Sequence, residues 1–375
     1  DCRRLLRREG GIDKLLGRVM VNETEKILNA FAQMYFFKEL VQNRLQFTEQ
    51  GSTEKEVADL LLNLGDIIIA IQLKARSEPD KTESLEKEIK WLDHKCKDAK
   101  KQVKDSIVHI RNGNLPAFEN ERGQYISIDP DADIIPLIIF MNENIGDKYD
   151  HVLRKHSEDG MDINCLSFSD FQTVCRELLT PIEIVEYLKW RLSFYQKNGN
   201  VNISVFMDDG DSILLTRPAS GEALVHQFLA EQYGIKQAKE MEDYIVPFQW
   251  MLHHLPDRVV AESMNDSTYP MILFFSHFDR TEIKAFDERI IRALESAKKE
   301  EYTIVGSLRN TLRKYVIFFV STHDGLSLPM DYLEKLAIEC GAEYNKLIQA
   351  FMYWENDEEF RIDYVFQDSS NQYLR

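Results

Sequence analysis

The stretch EVADLLLNLGDIIIAIQLKAR, residues 56–76, holds two apolar runs, 57–64 and 67–74, joined by Gly65–Asp66. A Gly-Asp pair between two such runs signals a hairpin. Both runs are apolar at nearly every position, so the sheet they enter is expected to be covered on both faces. With the turn at Gly65–Asp66, Leu64 faces Ile67 and pairing proceeds at constant sum. Asp59 then falls opposite Gln72, and Val57 opposite Lys74. Directly opposed residues share a face of the sheet, and residues two apart on a strand do likewise. Asp59, Gln72 and Lys74 are therefore expected to converge among Leu, Ile, Val and Ala neighbours. Three polar side chains on such a face are costly unless they have partners or a function. A register slip of one residue would separate them. The alternative is an ordinary hairpin whose three polar residues face solvent or a sheet edge.

Before the hairpin, residues 22–45 read as a helix with Asn22 as N-cap and Glu25 three residues on, as in a capping box. A polar loop, 48–56, leads into the first strand. After it, Asp80 caps a long helix with Glu83 three residues later. Leu85, Ile89, Leu92, Cys96, Ala99 and Val103 form one apolar stripe, and most of the lysines lie off it. Strands follow at 124–129 and 134–141. A helical section covers about 145–195, with Pro181 opening a second helix. From about residue 200, strands are expected at 202–207, 271–278, 314–321, 346–354 and 360–366, and helices at 220–243, 281–299 and 328–341. The expected organisation is an α/β chain: a first domain over 1–145, a helical connection over 146–199, and a second α/β domain over 200–375.

The chain has 375 residues, 44% of them hydrophobic and 29% charged, as in ordinary globular proteins. Its longest apolar runs, 67–71 and 134–141, are far shorter than the roughly 20 residues of a membrane-spanning helix, so no membrane span is expected. The opening DCRRLLRREGG is basic without a long apolar core behind it, so no signal peptide is expected. Cys2, Cys96, Cys165, Cys175 and Cys340 are scattered and form no CxxC pair. That pattern fits a cytoplasmic protein and argues against a disulfide framework or structural zinc. No Gly-rich phosphate loop is present, which argues against nucleotide hydrolysis.

The 56–76 stretch resembles the PD-(D/E)xK nuclease superfamily: an apolar strand with Asp, a short turn, and an apolar strand ending in Glu/Gln-x-Lys. The resemblance extends to an acidic residue on the preceding helix, Glu39, and to the following helix, where Lys100 and Gln102 stand. It covers about a third of the chain. It implies a restriction-endonuclease-like core (helix, mixed sheet, helix) and hydrolysis of DNA phosphodiester bonds with Mg²⁺, Mn²⁺ being a substitute. By resemblance, Asp59, Gln72 and the backbone carbonyl of Leu73 would hold the metal. Lys74 would position the attacking water and stabilise charge on the phosphorane, and Glu39 would complete the catalytic set. Gln72 stands where many members carry Glu, which removes one negative charge from the ligand set; Glu56 is a further candidate to restore it. Ala58 stands where the motif has proline.

The net charge of −17 counts against a DNA-gripping surface, because affinity for DNA rests on positive charge along the phosphates. Binding needs only a local patch, however. Residues 1–19 carry five Arg and one Lys against two Asp and one Glu, and residues 74–111 carry eleven Lys or Arg against eight Asp or Glu. In the second half, Asp208–Asp209 reads as a strand-end turn, and the His-Asp pairs in SHFDR (276–280) and STHDG (321–325) as loops. The expected function is a Mg²⁺-dependent endonuclease in a restriction or antiviral-defence setting, the setting being implied by resemblance alone. The C-terminal domain would recognise substrate or a protein partner, and a homodimer would supply the two sites of a double-strand cut. The alternative is a nuclease fold without activity that serves as a protein-binding scaffold.

Overall fold

The computed structural model describes residues 21–43, 46–48, 54–76, 84–113, 115–120, 124–142, 144–145, 163–198, 206–207, 213–214, 221–258, 264–310, 313–323, 325–342, 344–354 and 359–368. The fold is mixed α/β. The chain divides into two compact units, residues 1–279 and 280–375.

In the first unit, helix α1 (Val21–Phe36) is followed by strand β1 (Val41–Asn43), and after the short strands β2 (Gln46–Thr48) and β3 (Glu54–Glu56) come β4 (Leu60–Asn63) and β5 (Ile67–Ala75). Helix α2 (Leu85–Arg111) leads through β6 (Phe118–Glu119) and β7 (Tyr125–Ile126) to β8 (Asp133–Met141) and β9 (Asn164–Ser167). The sheet order is β1-β4-β5-β8-β9. β1, β4 and β5 pair antiparallel with one another in that order, and β8 and β9 run parallel to β5. A parallel pair needs a crossover connection, and α2 provides it between β5 and β8.

The hairpin forms where the sequence places it. The Leu64 amide donates to the Ile67 carbonyl at 2.8 Å, and pairing runs Asn63↔Ile68, Leu62↔Ile69, Leu61↔Ala70, Leu60↔Ile71. Gly65 takes φ +82° in the turn, a conformation open to glycine without a steric penalty.

The sheet is covered on both faces. Ile67, Ile69, Ile71 and Leu73 of β5 pack with α1 and with the later helices α3 (Phe168–Leu178), α4 (Pro181–Asn198) and α5 (Gly221–Tyr233). Ile68 on the other face packs with Val57, Leu61 and Ile110 of α2, and Ile138 and Phe140 of β8 pack with Leu92, Cys96 and Val103. Double coverage accounts for the unbroken apolar runs.

Pro136 lies inside β8, where a proline would ordinarily break a ladder. The Asp133 amide bonds to the Asp66 carbonyl at 2.8 Å, so odd-numbered residues of β8 turn their amides toward β5. Pro136 therefore faces the β9 side, and β9 pairs only from Leu137 onward. The missing N–H costs no bond.

Two expectations are corrected. The helix expected over 22–45 ends at Phe36: Phe37 takes φ 61°, and Val41–Asn43 pairs with β4 instead. The strand expected over 271–278 is the end of a helix, α7 (Met264–Phe275), which follows α6 (Ile235–Arg258). A short apolar run does not by itself distinguish a buried helix from a strand. The compact units divide after Asp279, and Phe171, Tyr187, Leu188, Leu224 and Phe228 belong to the same core as the sheet. Of the strand expected over 202–207, only β10 (Phe206–Met207), paired with β11 (Ile213–Leu214), is described. Asp80, Asp208 and Asp209 lie outside the described residues.

In the second unit, α8 (Arg280–Lys298), β12 (Ile304–Asn310), β13 (Tyr315–Ser321), α9 (Met330–Glu339), β14 (Lys346–Trp354) and β15 (Phe360–Asp368) build a sheet of order β12-β13-β14-β15. Glu282 of α8 accepts hydrogen bonds from Asn310, Arg313 and Tyr315, each at 2.7 Å, which ties the helix to the β12–β13 hairpin. Among the described residues, no helix is long and apolar enough to cross a membrane.

Candidate active site

The β4–β5 ladder ends at Leu60↔Ile71. Asp59 does not continue it as a strand partner of Gln72. Its carboxylate takes the next bonding position, and Oδ2 accepts the Leu73 amide at 2.6 Å. In a strand, the N–H and C=O of one residue point to the same edge. The Leu73 carbonyl is therefore directed to the edge where Asp59 sits. The chain before Asp59 is fixed from α2, where the Ser106 hydroxyl donates to the Val57 carbonyl.

Lys74 Nζ lies 3.8 Å from Asp59 Oδ2 and donates to Gln72 Oε1 at 3.4 Å. The three side chains converge at the C-terminal end of β5, under α2. Gln72 is 4% exposed, and the side chains of Lys74 and Asp59 are 13% and 20% exposed, so the group is shielded but open to one side. Burial pushes the Lys74 ammonium below its ordinary value of 10.5; Asp59 opposes that shift and Lys95 adds to it.

Glu39 is buried just after α1. Its backbone carbonyl accepts from Asn120 Nδ2 at 3.4 Å, and its carboxylate lies within electrostatic reach of His253. Burial pushes His253 down, while its bond to the Met34 carbonyl and the Glu39 charge oppose this. Lys100 is buried on α2, whereas Gln102 and Glu56 are exposed. His277, read as a loop residue, pairs with Asp66 at the hairpin turn, Nε2 to Oδ1 at 2.9 Å.

Beside Ser106 and Ile110, the buried stripe of α2 extends to a charged residue that the sequence did not point to, Glu88. It meets Arg76 and Asn142 at the end of β5 and β8. Arg76 could have been noticed, since it lies two residues beyond Lys74 and so shares its face. Nothing in the helical period marks Glu88.

The donor set suits a hard divalent cation. The Asp59 carboxylate, the Gln72 amide oxygen and the Leu73 carbonyl are all oxygen ligands. Mg²⁺ commonly binds through one or two carboxylates, with water and substrate phosphate completing its shell. Among the described residues, there is no group of three or more His, Cys, Asp and Glu that could hold a metal.

Comparison with family models, with curated proteins and with solved structures finds no match for the chain.

Proposed function

We propose that this chain is a metal-dependent nuclease that hydrolyses DNA phosphodiester bonds at the Asp59–Gln72–Lys74 end of β5. The observation that carries the reading is the hydrogen bond from the Leu73 amide to Asp59 Oδ2, with Lys74 Nζ within 4 Å of both Asp59 and Gln72. The order helix, mixed sheet, helix around those residues supports a restriction-endonuclease-like core.

The roles are those the family resemblance implies for these positions. Asp59 supplies a negative charge and is held in place by the Leu73 amide. Gln72 and the Leu73 carbonyl add neutral oxygens beside it. These three would hold Mg²⁺, which when bound supplies water activation and neutralises charge on the scissile phosphate. Lys74 orients the attacking water and donates a hydrogen bond to the oxygen on which charge grows. Its partial burial strengthens that interaction, because the same charge pair is worth more where water is excluded. Glu39 is the remaining acidic candidate, and its role rests on the family resemblance.

The competing reading is a nuclease fold kept as a protein-binding scaffold. The neutral Gln72 and the net charge of −17 favour it.

One experiment separates the two. Purified protein is incubated with duplex DNA, single-stranded DNA and RNA, with Mg²⁺ or Mn²⁺, beside Lys74→Ala. Cleavage of DNA by the wild type and its loss in the variant is the expected result. A folded wild type that cuts no nucleic acid and binds neither metal by calorimetry overturns the nuclease reading.

A further inference from the structure

Arg76 directly follows the last residue of β5 and continues its alternation, so it lies on the side of Gln72 and Lys74. It stands about 7 Å beyond Lys74, two residues at the usual strand rise. Its guanidinium is held from two sides. Nη2 lies 3.3 Å from Glu88 Oε1, and the guanidinium carbon lies 5.6 Å from the centre of the Trp91 ring. Glu88 is completely buried, and its other oxygen accepts a hydrogen bond from Asn142 Nδ2 at 2.7 Å. The backbone of Arg76 is fixed as well, its amide donating to the Met141 carbonyl at 3.1 Å.

The Arg76–Glu88 contact is an ion pair without hydrogen-bond alignment. Glu88 Oε1 has no hydrogen-bond donor, and Arg76 Nε is buried without an acceptor. An arginine present only to neutralise a buried carboxylate would be expected to present its fork to both oxygens. Here Asn142 holds one oxygen and the guanidinium keeps N–H donors in hand, while 21% of its side chain stays exposed. The cation is oriented by a carboxylate and an aromatic ring, and its position is fixed before any ligand arrives.

We propose that Arg76 is a phosphate-binding residue. It holds a non-scissile phosphodiester of the nucleic-acid strand while the Asp59–Lys74 group acts on the neighbouring one. The spacing along β5 is of the order of one nucleotide of backbone. Glu88 and Trp91 are positioning residues that keep the fork in place. The inference rests on the nuclease reading and names what holds the strand in register.

The test is binding of a short fluorescein-labelled duplex in EDTA, followed by anisotropy over a salt series, so that no cleavage occurs. Arg76→Gln/Glu88→Gln is the main variant, since it leaves no unpaired charge in the buried pair. Arg76→Lys, which keeps a charge against Glu88, is the second. The double variant is expected to bind about tenfold more weakly, with its salt slope reduced by about one. Arg76→Lys is expected to lose severalfold, because a point charge replaces a two-pronged contact. With Mg²⁺, KM rises and kcat is nearly unchanged, as expected for a group that binds substrate and transition state alike. A purely structural role would lower the active fraction without changing the salt slope.

If the wild type binds and cuts, and both variants bind with the same affinity and slope, the assignment of Arg76 falls and the nuclease reading stands. If the wild type cuts but binding does not depend on Arg76 even in the lysine variant alone, the assignment falls in the same way. If the folded wild type neither binds nor cuts, both fall.

Discussion

The Leu73 amide donates to Asp59 Oδ2 at 2.6 Å, one position past the last backbone pair of the β4–β5 ladder. A side chain stands in for a strand, and the same carboxylate faces the Lys74 ammonium. Asp59 therefore has a structural task beside the chemical one proposed for it, and the two are expected to respond differently to substitution.

Asp59→Asn keeps an oxygen that accepts the Leu73 amide but removes the anion. The melting temperature is expected to fall by only a few degrees, while cleavage drops by at least about a hundredfold. Asp59→Ala leaves the amide without an acceptor and should in addition cost about 1–3 kcal/mol. Denaturant titrations of the two variants beside cleavage assays check this; equal stability in both would show that the bond contributes nothing to the fold.

Lys74 titrates below 10.5 because it is desolvated. If its charged form is the working one, cleavage should fall on an alkaline limb centred below that value. Stability moves the other way. The unfolded chain binds a proton on Lys74 more readily than the folded one, so between the two pKa values the Lys74 contribution to stability rises with pH. Below the folded pKa the penalty is fully present. Lys74→Met should flatten that part of the stability profile, measured by urea titration from neutral pH to about pH 10.5. An unchanged slope would contradict the shift.

Both polar atoms of the Gln42 amide, on β1, lack hydrogen-bond partners, and the residue is 5% exposed. Replacing such a group by an apolar one of similar shape removes a desolvation cost. Gln42→Leu is expected to raise stability by about 1 kcal/mol. Gln349 of β14, completely buried with its amide likewise unpartnered, predicts the same for Gln349→Leu in the second unit. A loss of stability in either would mean that the amide has a partner, such as an ordered water.

Gly65→Ala places a Cβ 3.2 Å from Leu273 Cδ2 in a residue at φ +82°. Left-handed backbone and crowding act together, and a loss of about 1–2 kcal/mol is expected from the backbone alone. If the turn slips to relieve the strain, Asp59 moves away from Leu73, so cleavage should fall more than stability does. Thermal melts and cleavage rates on one preparation distinguish the two effects.

The convergence of Asp59, Gln72 and Lys74 was legible because one turn pins the register and the period of a strand does the rest. What lay beyond the ladder was not. That Asp59 bonds to Leu73 depends on β4 bending away at Asp59, and no periodicity encodes the bend. Residues 37–43 fall inside the helix expected over 22–45, yet pairing of Val41 with Leu62 prevails over local preference. The run ending in Phe274–Phe275 is short enough to suit either a buried helix or a buried strand. Glu88 escaped for a different reason: its partner Arg76 is on another element, and burial of a charge is intelligible only once that partner is known.

Pro136 has a further consequence for how β8 begins. It is buried, and its nitrogen faces the β9 side ahead of the first β8–β9 pair, Leu137↔Asn164. A buried backbone N–H without a partner costs about as much as a lost hydrogen bond. A proline has no N–H to leave unpaired. The residue that would break a ladder elsewhere is thus the one that lets β8 start before its neighbour does.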